Sequence, residues 1–180
     1  VQFAYAKATE GTGYADAQFA DNHDDAKTRG IPFGAYHFFH FGQDPIAQAQ
    51  HFLASTDGRR GTLLPMVDVE GGGQDGVSDL GALIRTLAAF NTEIERAVGA
   101  KILIYSDYGD WNAMMGGTDA FAGHPFWVAE YNSDAAPALP TGITRALVWQ
   151  FSSSGRIPGI AGNVDLDRFL GEDLREISLT

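Results

Sequence analysis

Two hydrophobic patterns alternate along this chain: short continuous apolar runs, and longer stretches in which apolar residues recur every three or four positions. Continuous runs are typical of strands buried on both faces, and they occur over residues 1–7, 33–41, 63–69 and 101–105. The three-to-four spacing predicts amphipathic helices over residues 16–29, 45–55 and 79–98. The first two thirds of the chain therefore predict strands and helices in alternation.

Residues at the helix ends support these boundaries. The first helix stops at Gly30-Ile31-Pro32, and Asp44 followed by Pro45 is an N-cap with proline at the first helical position. In the third helix one apolar stripe contains Leu80, Leu83, Ile84, Leu87, Phe90 and Ile94. Beyond residue 105 the pattern predicts only a short helix, near residues 107–115, and strands over residues 126–129, 146–151 and 163–166. The last third therefore joins its strands mainly by loops.

This order of elements indicates the fold class. Short apolar strands that alternate with long helices predict parallel β-α units, which build either a barrel or a doubly wound sheet. Because helices are lost in the last third, we expect an α/β fold of the irregular TIM-like barrel type. Catalytic side chains in such barrels lie at the carboxyl ends of the strands.

Composition narrows the class of protein. A chain of 180 residues that is 44% hydrophobic is expected to form a single domain over residues 1–180. Its 12 basic and 23 acidic residues give a net charge of −11, which argues against nucleic acid and anionic membranes as partners. No apolar run approaches the roughly 20 residues that a membrane-spanning helix needs. The absence of cysteine excludes disulfides, thiol catalysis and cysteine-bound zinc.

The strand predicted over residues 63–69 leads into two acids, Asp68 and Glu70. Residues two apart on a strand point to the same side, with backbone positions about 6.5 Å apart. Two carboxylates so close in a partly dry cleft do not ionise independently, and one keeps its proton at a raised pKa. Glu70, with the longer side chain, is the candidate general acid. The alternative is a solvated pair on an edge strand, but the continuous apolar run before it favours a central strand.

Other acids and aromatic rings fall at predicted strand ends. Glu10 follows the first strand, and Asp165 belongs to a second alternating pair with Asp167, which is equally compatible with a solvated turn or a helix N-cap. Sugars stack their apolar faces on rings, while hydroxyl and acid groups bond the sugar hydroxyls. Rings at such positions are Tyr36, Phe38, Tyr105, Trp127, Tyr131 and Trp149, although strand aromatics often serve the core instead.

Several stretches, in order along the chain, resemble the family 25 glycoside hydrolases, the Chalaropsis-type lysozymes. They cover nearly the whole chain and lie at residues 3–11 (FAYAKATEG), 30–39 (GIPFGAYHFF), 65–70 (PMVDVE), 104–105 (IY), 126–129 (FWVA) and 149–151 (WQF) with 164–165 (VD). The resemblance implies an irregular β/α barrel that needs no cofactor. It also implies an N-acetylmuramidase that hydrolyses the β-1,4 bond between N-acetylmuramic acid and N-acetylglucosamine in peptidoglycan. We expect an extracellular monomer, secreted or released by lysis, whose partners are peptidoglycan glycan strands.

Carried over residue by residue, the resemblance makes Glu70 the proton donor and Asp68 the partner that orients or polarises the substrate's acetamido group. Two carboxyls on one strand are badly placed to flank a sugar from opposite faces, so geometry favours this substrate-assisted, retaining reaction over a protein nucleophile. The expected substrate-binding residues are Glu10, Tyr36, Phe38, Tyr105, Trp127, Tyr131, Gln150 and Asp165.

The chain departs from the family pattern in two places. Members usually begin with a strand that carries an aspartate, in a pattern like Asp-Val-Ser, followed by a helix, and nothing before Val1 supplies it. We therefore expect the first β-α unit to be absent, which would leave an open barrel edge with unpaired backbone groups. The second departure is Asp167, where Asn is commoner and where the acid adds a negative charge near the site.

Two other functions fit parts of the sequence. A glycan-binding protein with impaired or no catalysis would follow from the absent aspartate-bearing strand, since the site and not the fold decides function. A metal hydrolase could use His37 and His40 with Asp68. Strand residues three apart point to opposite sides, however, and cannot share an ion without a bulge.

Overall fold

Strands and helices alternate through the first two thirds of the chain, and the last third is built from strands and loops. The computed structural model describes residues 1–131 and 135–179. The first elements are β1 (Ala4–Glu10), β2 (Tyr14–Ala15), α1 (Phe19–Thr28), β3 (Phe33–Phe38), α2 (Pro45–Ser55) and β4 (Met66–Asp68). They are followed by α3 (Leu80–Val98), β5 (Leu103–Asp107), α4 (Tyr108–Met115), β6 (Phe126–Ala129), β7 (Val148–Gly155) and β8 (Val164–Phe169), with 3-10 turns at Gly71–Gly73 and Leu174–Ile177. Apart from the two-residue β2, the predicted order is confirmed.

Some element boundaries differ from the predictions because the backbone groups there hydrogen-bond to partners that the sequence does not reveal. β4 is shorter than predicted because Leu63 and Leu64 donate their N–H groups to the carbonyls of Phe33 and Ile177, and Pro65 has no N–H to donate. The last two strands are longer than predicted because they form an antiparallel hairpin. The predicted start of α2 is confirmed, since the Asp44 carboxylate accepts hydrogen bonds from two backbone N–H groups in the first turn.

The eight strands of the described residues form one sheet in the order β2-β1-β3-β4-β5-β6-β7-β8. Neighbours from β1 to β7 are parallel, and β2 and β8 pair antiparallel at the two edges. β4 is therefore central, with Asp68 paired to Phe38 on one side and to Tyr105 on the other. The alternative reading of the acid pair as solvated charges on an edge strand is wrong.

The sheet curls strongly into a half-barrel. In a flat sheet, Tyr5 on β1 and Trp127 on β6 would be about 19 Å apart, because β3, β4 and β5 lie between their strands. Their ring centroids are 5.2 Å apart. Within the described residues the sheet stays open, with β2 and β8 as its edges. The α/β prediction is thus confirmed as a curled eight-stranded sheet.

Apolar side chains form two cores, one on each side of this sheet. The convex side packs against the helices, and its fully buried residues include Phe39, Phe52, Phe90, Ile94 and Trp111. The concave side holds a smaller core with Leu63, Met66, Leu103, Trp127 and Val148. Leu80, predicted on the buried stripe of α3, is instead 39% exposed because it lies in the first turn of the helix. Among the described helices, none combines the length and apolar character needed to cross a bilayer.

Candidate active site

A cavity of about 490 Å³ opens on the concave side of the sheet and reaches the carboxyl end of β4. We call it the strand-end cavity. Most of the residues predicted for the site line it, namely Tyr36, Asp68, Glu70, Tyr105, Trp127, Gln150 and Asp165. The lining also contains residues without a predicted role, including Phe3, Tyr5, Met66, Ile157, Ile160 and Val164, as well as Asp167.

Asp68 is the last residue of β4, and the chain turns away just after Glu70. The Asp68 carbonyl accepts a hydrogen bond from the Phe39 N–H at 3.0 Å, which keeps β4 in register with its neighbour. Gly73 closes the following 3-10 turn by donating its N–H to the Glu70 carbonyl at 3.0 Å. Only glycine fits there, because an added Cβ would collide with the Phe39 carbonyl oxygen. The result is a half-buried Glu70 beside an Asp68 that is 7% exposed.

Burial gives both carboxyls of this pair a raised pKa. For Asp68 the main cause is burial, and the second is the negative charge of Glu70. For Glu70 burial is again the largest cause, followed by the charges of Asp110 and Asp107, while a hydrogen bond from Tyr105 opposes them. In addition, Oδ1 of Asp68 is buried without a hydrogen-bond partner in the described part of the chain. The pair therefore retains a proton above the usual carboxyl range and offers one oxygen as an unused acceptor.

Asp107 and Asp110 are carboxylates near Glu70 that sequence reasoning did not assign to the site. Asp107 caps α4 and accepts a hydrogen bond from the Gly109 N–H at 2.7 Å, and Asp110 accepts one from the Gly71 N–H at 2.7 Å. Backbone N–H groups thus hold both carboxylates in position. The negative charges of Asp107 and Asp110 raise the Glu70 pKa. The sequence contains the N-cap signal, but nearness to Glu70 depends on β4 and β5 lying side by side.

Three predicted rings line the cavity, and their accessibility differs. Trp127 is 5% exposed and packs edge-on against Phe3, Tyr5 and Tyr105, so it forms part of the floor. Tyr105 is also buried, whereas Tyr36 is half-buried. Burial raises the pKa of both tyrosines, which keeps their hydroxyls protonated and able to donate hydrogen bonds.

The β7–β8 hairpin supplies another wall. Asp165 and Asp167 lie within β8, so the readings of this pair as a solvated turn or a helix N-cap are wrong. Asp167 accepts a hydrogen bond from Nε1 of Trp127 at 3.1 Å. Burial, and after it the charge of Asp165, raises the Asp167 pKa to about 7. On β7, Gln150 is buried and donates a hydrogen bond from Nε2 to the Tyr131 hydroxyl at 2.8 Å.

Glu10, Phe38 and Tyr131 were also predicted to bind substrate, but the structure places them outside the cavity lining. Glu10 forms ion pairs with Lys7 at 2.6 Å and with His40 at 3.3 Å, and the hydrogen bond from Lys7 lowers its pKa. The Lys7 ammonium also lies 4.8 Å from the Phe38 ring centroid. Tyr131 is 54% exposed. These side chains therefore flank the cavity and do not form its wall.

The histidines of the metal hypothesis are not brought together with Asp68. His37 points to the convex side, where Nδ1 lies 2.8 Å from Thr9 Oγ1 and the ring stacks on Phe90 at 4.9 Å. Asp68 instead lines the concave cavity together with Glu70. Across residues 1–131 and 135–179 there is no group of three or more His, Cys, Asp or Glu residues arranged to hold a metal ion.

Comparisons with known proteins agree on one family. Residues 1–160 match Glycosyl hydrolases family 25. Lysozyme M1 of Streptomyces globisporus is 34% identical, with 99% of this chain and 63% of the relative aligned. The N,O-diacetylmuramidase of Chalaropsis sp is 30% identical, with 91% of this chain and 85% of the relative aligned. The crystal structure of a lysozyme from Streptomyces coelicolor superposes with a TM-score of 0.85 and 31% identity over 97% of this chain and 83% of that one. The chain thus spans less than two thirds of Lysozyme M1.

Proposed function

The chain belongs to Glycosyl hydrolases family 25, and we propose that it is a muramidase that hydrolyses the β-1,4 bond between N-acetylmuramic acid and N-acetylglucosamine in peptidoglycan. The observation that carries this proposal is the pair Asp68 and Glu70, which share the strand-end cavity and both have raised pKa values. The substrate lies in cell walls, so we propose an extracellular place of action. The chemistry described below requires no cofactor.

Glu70 acts as the general acid in this proposal. Its pKa is raised above that of an ordinary glutamate, mainly by burial, which favours the protonated carboxyl group that a general acid needs. That proton passes to the glycosidic oxygen as the bond from this oxygen to the anomeric carbon breaks. The resulting Glu70 carboxylate then takes a proton from water, which attacks the same carbon in the second step and completes hydrolysis.

Asp68 assists the substrate's own acetamido group. Its unpaired Oδ1 is the acceptor that an acetamido N–H would satisfy. A donor to this oxygen favours the ionised form of Asp68, and the one proton of the pair then resides on Glu70. The acetamido carbonyl oxygen, oriented in this way, attacks the anomeric carbon on the face opposite the leaving oxygen. In the second step water displaces the acetamido oxygen from the anomeric carbon and restores the acetamido group, so two successive inversions give retention of configuration.

The rest of the strand-end cavity would hold the sugars. Tyr36, Tyr105, Gln150 and Asp165 offer hydroxyl, amide and carboxylate groups to sugar hydroxyls, and Trp127 supports the floor beneath them. Glu10, Phe38 and Tyr131 flank the cavity, and we propose that they contact sugar units further along the glycan strand.

Loss of turbidity of purified cell walls tests the proposal. Glu70→Gln should lower the rate by a factor of about 10² to 10⁴, the usual contribution of a general acid, and Asp68→Asn should also lower it. Glu172→Gln, at an exposed glutamate outside the cavity, is the matched control and should equal the parent. Equal rates for the parent and Glu70→Gln would contradict the role of Glu70.

Product analysis separates hydrolysis from simple binding. Mass spectrometry of parent digests should show fragments that end in a reducing N-acetylmuramic acid. Calorimetric binding of peptidoglycan fragments without any such product would instead support the glycan-binding alternative.

A further inference from the structure

A second, larger cavity of about 650 Å³ lies at the other end of the sheet. It is formed by the last turns of α1, the residues leading into β3 and the loop between α2 and β4. The strand-end cavity extends along the sheet to Ala4, which pairs with Phe33, but its acid pair lies at the other end of β3, where Asp68 pairs with Phe38, roughly 17 Å from Phe33 along the strand. We call the second cavity the cationic cleft. It shares no lining residue with the strand-end cavity.

Two basic side chains in the cationic cleft have no acidic partner within residues 1–131 and 135–179. Lys27 and Arg60 line it, and neither lies within 4.0 Å of a carboxylate oxygen of the described residues. Asp57 is the one acid of the lining, and it contacts neither of them within that distance. The chain has 23 acids for 12 bases, so acidic partners are abundant. The two cations, unpaired among the described residues, therefore make this cleft locally positive on a negatively charged protein. A positive cleft attracts anions.

Arg60 has a hydrogen-bond donor that no described residue satisfies. Its Nε atom is buried and has no hydrogen-bond acceptor among the described residues. A buried cationic N–H group without an acceptor is costly, and the charge of an anion bound in the cleft beside this guanidinium would offset part of that cost. The planar guanidinium fork matches the two oxygens of a carboxylate or phosphate group. The ligand group that this site lacks is therefore an oxyanion.

The other lining residues give the cationic cleft an apolar side. Ile31, Pro32 and Phe33 form it, and the buried His23 ring packs edge-on against Phe33 at 5.6 Å. Nδ1 of His23 lies 2.7 Å from Oδ1 of Asp24, which holds the ring in place. A ligand that fills this space carries an apolar portion next to its oxyanion.

The loop that carries Arg60 is held against β3 before any ligand arrives. Thr62 and Leu63 both donate their N–H groups to the Phe33 carbonyl, at 2.9 and 3.0 Å. Gly61 has a positive φ of 82°, and an added Cβ would collide with the same carbonyl oxygen. Binding would therefore not require the loop to order itself, which reduces the entropy loss on association.

We propose that the cationic cleft is a second binding site, which takes a phosphate or carboxylate group attached to a small apolar or polyol unit. Lys27 and Arg60 bind the oxyanion, and the wall at residues 31–33 contacts the attached unit. Wall polymers offer this chemistry in two forms, polyol phosphates and peptide carboxylates. The choice of wall polymers as the ligand source rests on the proposed function, whereas the site itself does not, because it shares no lining residue with the strand-end cavity.

Isothermal titration with glycerol 3-phosphate, with the dipeptide alanyl-glutamate and with inorganic phosphate tests this site. The parent should bind at least one probe, and Arg60→Gln and Lys27→Gln should each weaken that binding about tenfold, as expected for a lost charge-assisted hydrogen bond. Arg29→Gln is the matched control, since Arg29 is exposed, lies next to α1 and is outside the cleft lining. It removes the same charge and should change binding by no more than about twofold.

The probe that binds more tightly identifies the ligand source as a polyol phosphate or a peptide carboxylate. The proposal is overturned if no probe binds, or if Arg29→Gln weakens binding as much as Arg60→Gln does. Lys27 is exposed on α1, so its variant keeps the test valid even if Arg60→Gln does not fold. The same titrations on Glu70→Gln should match the parent, which separates this result from the outcome of the activity assay.

Discussion

Lowering the pH from 7 to 4 is expected to weaken the fold through one buried imidazole. His37 is fully buried between β3 and the helices, where it stacks on Phe90 and its ring nitrogens contact Thr9 Oγ1 at 2.8 Å and Gln48 Oε1 at 3.2 Å. Burial lowers its pKa from 6.5 to about 4, although the hydrogen bond with Gln48 acts in the opposite direction. The folded protein therefore keeps this ring neutral over a pH range in which the unfolded chain binds a proton.

The sign and size of the effect follow from this difference. Between pH 6.5 and pH 4 the unfolded state binds more protons at His37 than the folded state, so the free energy of unfolding falls as the pH falls. Each pKa unit is worth about 1.4 kcal/mol, and the interval from 6.5 to about 4 amounts to about 3 kcal/mol. This loss should be nearly complete at pH 4 and absent above pH 7.

Urea unfolding followed by tryptophan fluorescence between pH 4 and pH 7 measures this loss in the free energy of unfolding. Acids elsewhere in the chain titrate in both proteins, so the comparison is between the pH dependence of the parent and that of His37→Gln. The parent should lose about 3 kcal/mol more than this variant between pH 7 and pH 4. His51→Gln on α2, whose ring lies near the surface against the Tyr14 carbonyl, serves as the control for losing a histidine. If His37→Gln keeps the parent's pH dependence, the neutral buried ring is not the cause and the reasoning is refuted.

Two further predictions concern the walls of the strand-end cavity. Asp167→Asn keeps an acceptor for Trp127 Nε1 but removes a carboxyl whose pKa burial raises to about 7, so it should stabilise the protein above pH 7 by about 2 kcal/mol after allowance for partial exposure. The gain should shrink towards pH 4 in urea unfolding, because the folded state is then protonated and the unfolded state begins to take up the proton as the pH approaches 3.8. A pH-independent gain would contradict the charge argument. Gly73→Ala should cost at least about 2 kcal/mol and reduce wall hydrolysis, because its Cβ collides with the Phe39 carbonyl and displaces the turn after the acid pair. Gly72→Ala would place its Cβ in ordinary van der Waals contact with the Phe38 ring, 3.6 Å from Cζ, and should stay within about 1 kcal/mol of the parent in the same measurements.

Local features of the fold and site could be predicted from the sequence because they depend on neighbouring residues. The spacing of apolar residues predicted the order of strands and helices, and the Asp44 cap was predicted where α2 begins. Strand parity predicted that Asp68 and Glu70 share one side, and both line the strand-end cavity. These relations hold for any strand or helix, wherever it lies in the molecule.

Distances between segments remote in the chain were decided only by the tertiary structure. The curl of the sheet brings Trp127 and Asp165 to the cavity of Asp68, although they come from strands remote in the chain. Glu10 ends its strand as predicted, yet Lys7 and His40 bind it outside the cavity lining.

Asp107 and Arg60 illustrate the same limit. Asp107 is recognisable in the sequence as a helix cap, but the sequence does not show that its charge influences Glu70. Arg60 is recognisable as a basic loop residue, but the sequence does not show that it lines a cleft with Lys27. The backbone sets which way a side chain points from its own strand. Which side chains then meet depends on strand order, register and curvature, which the packing of the whole chain determines.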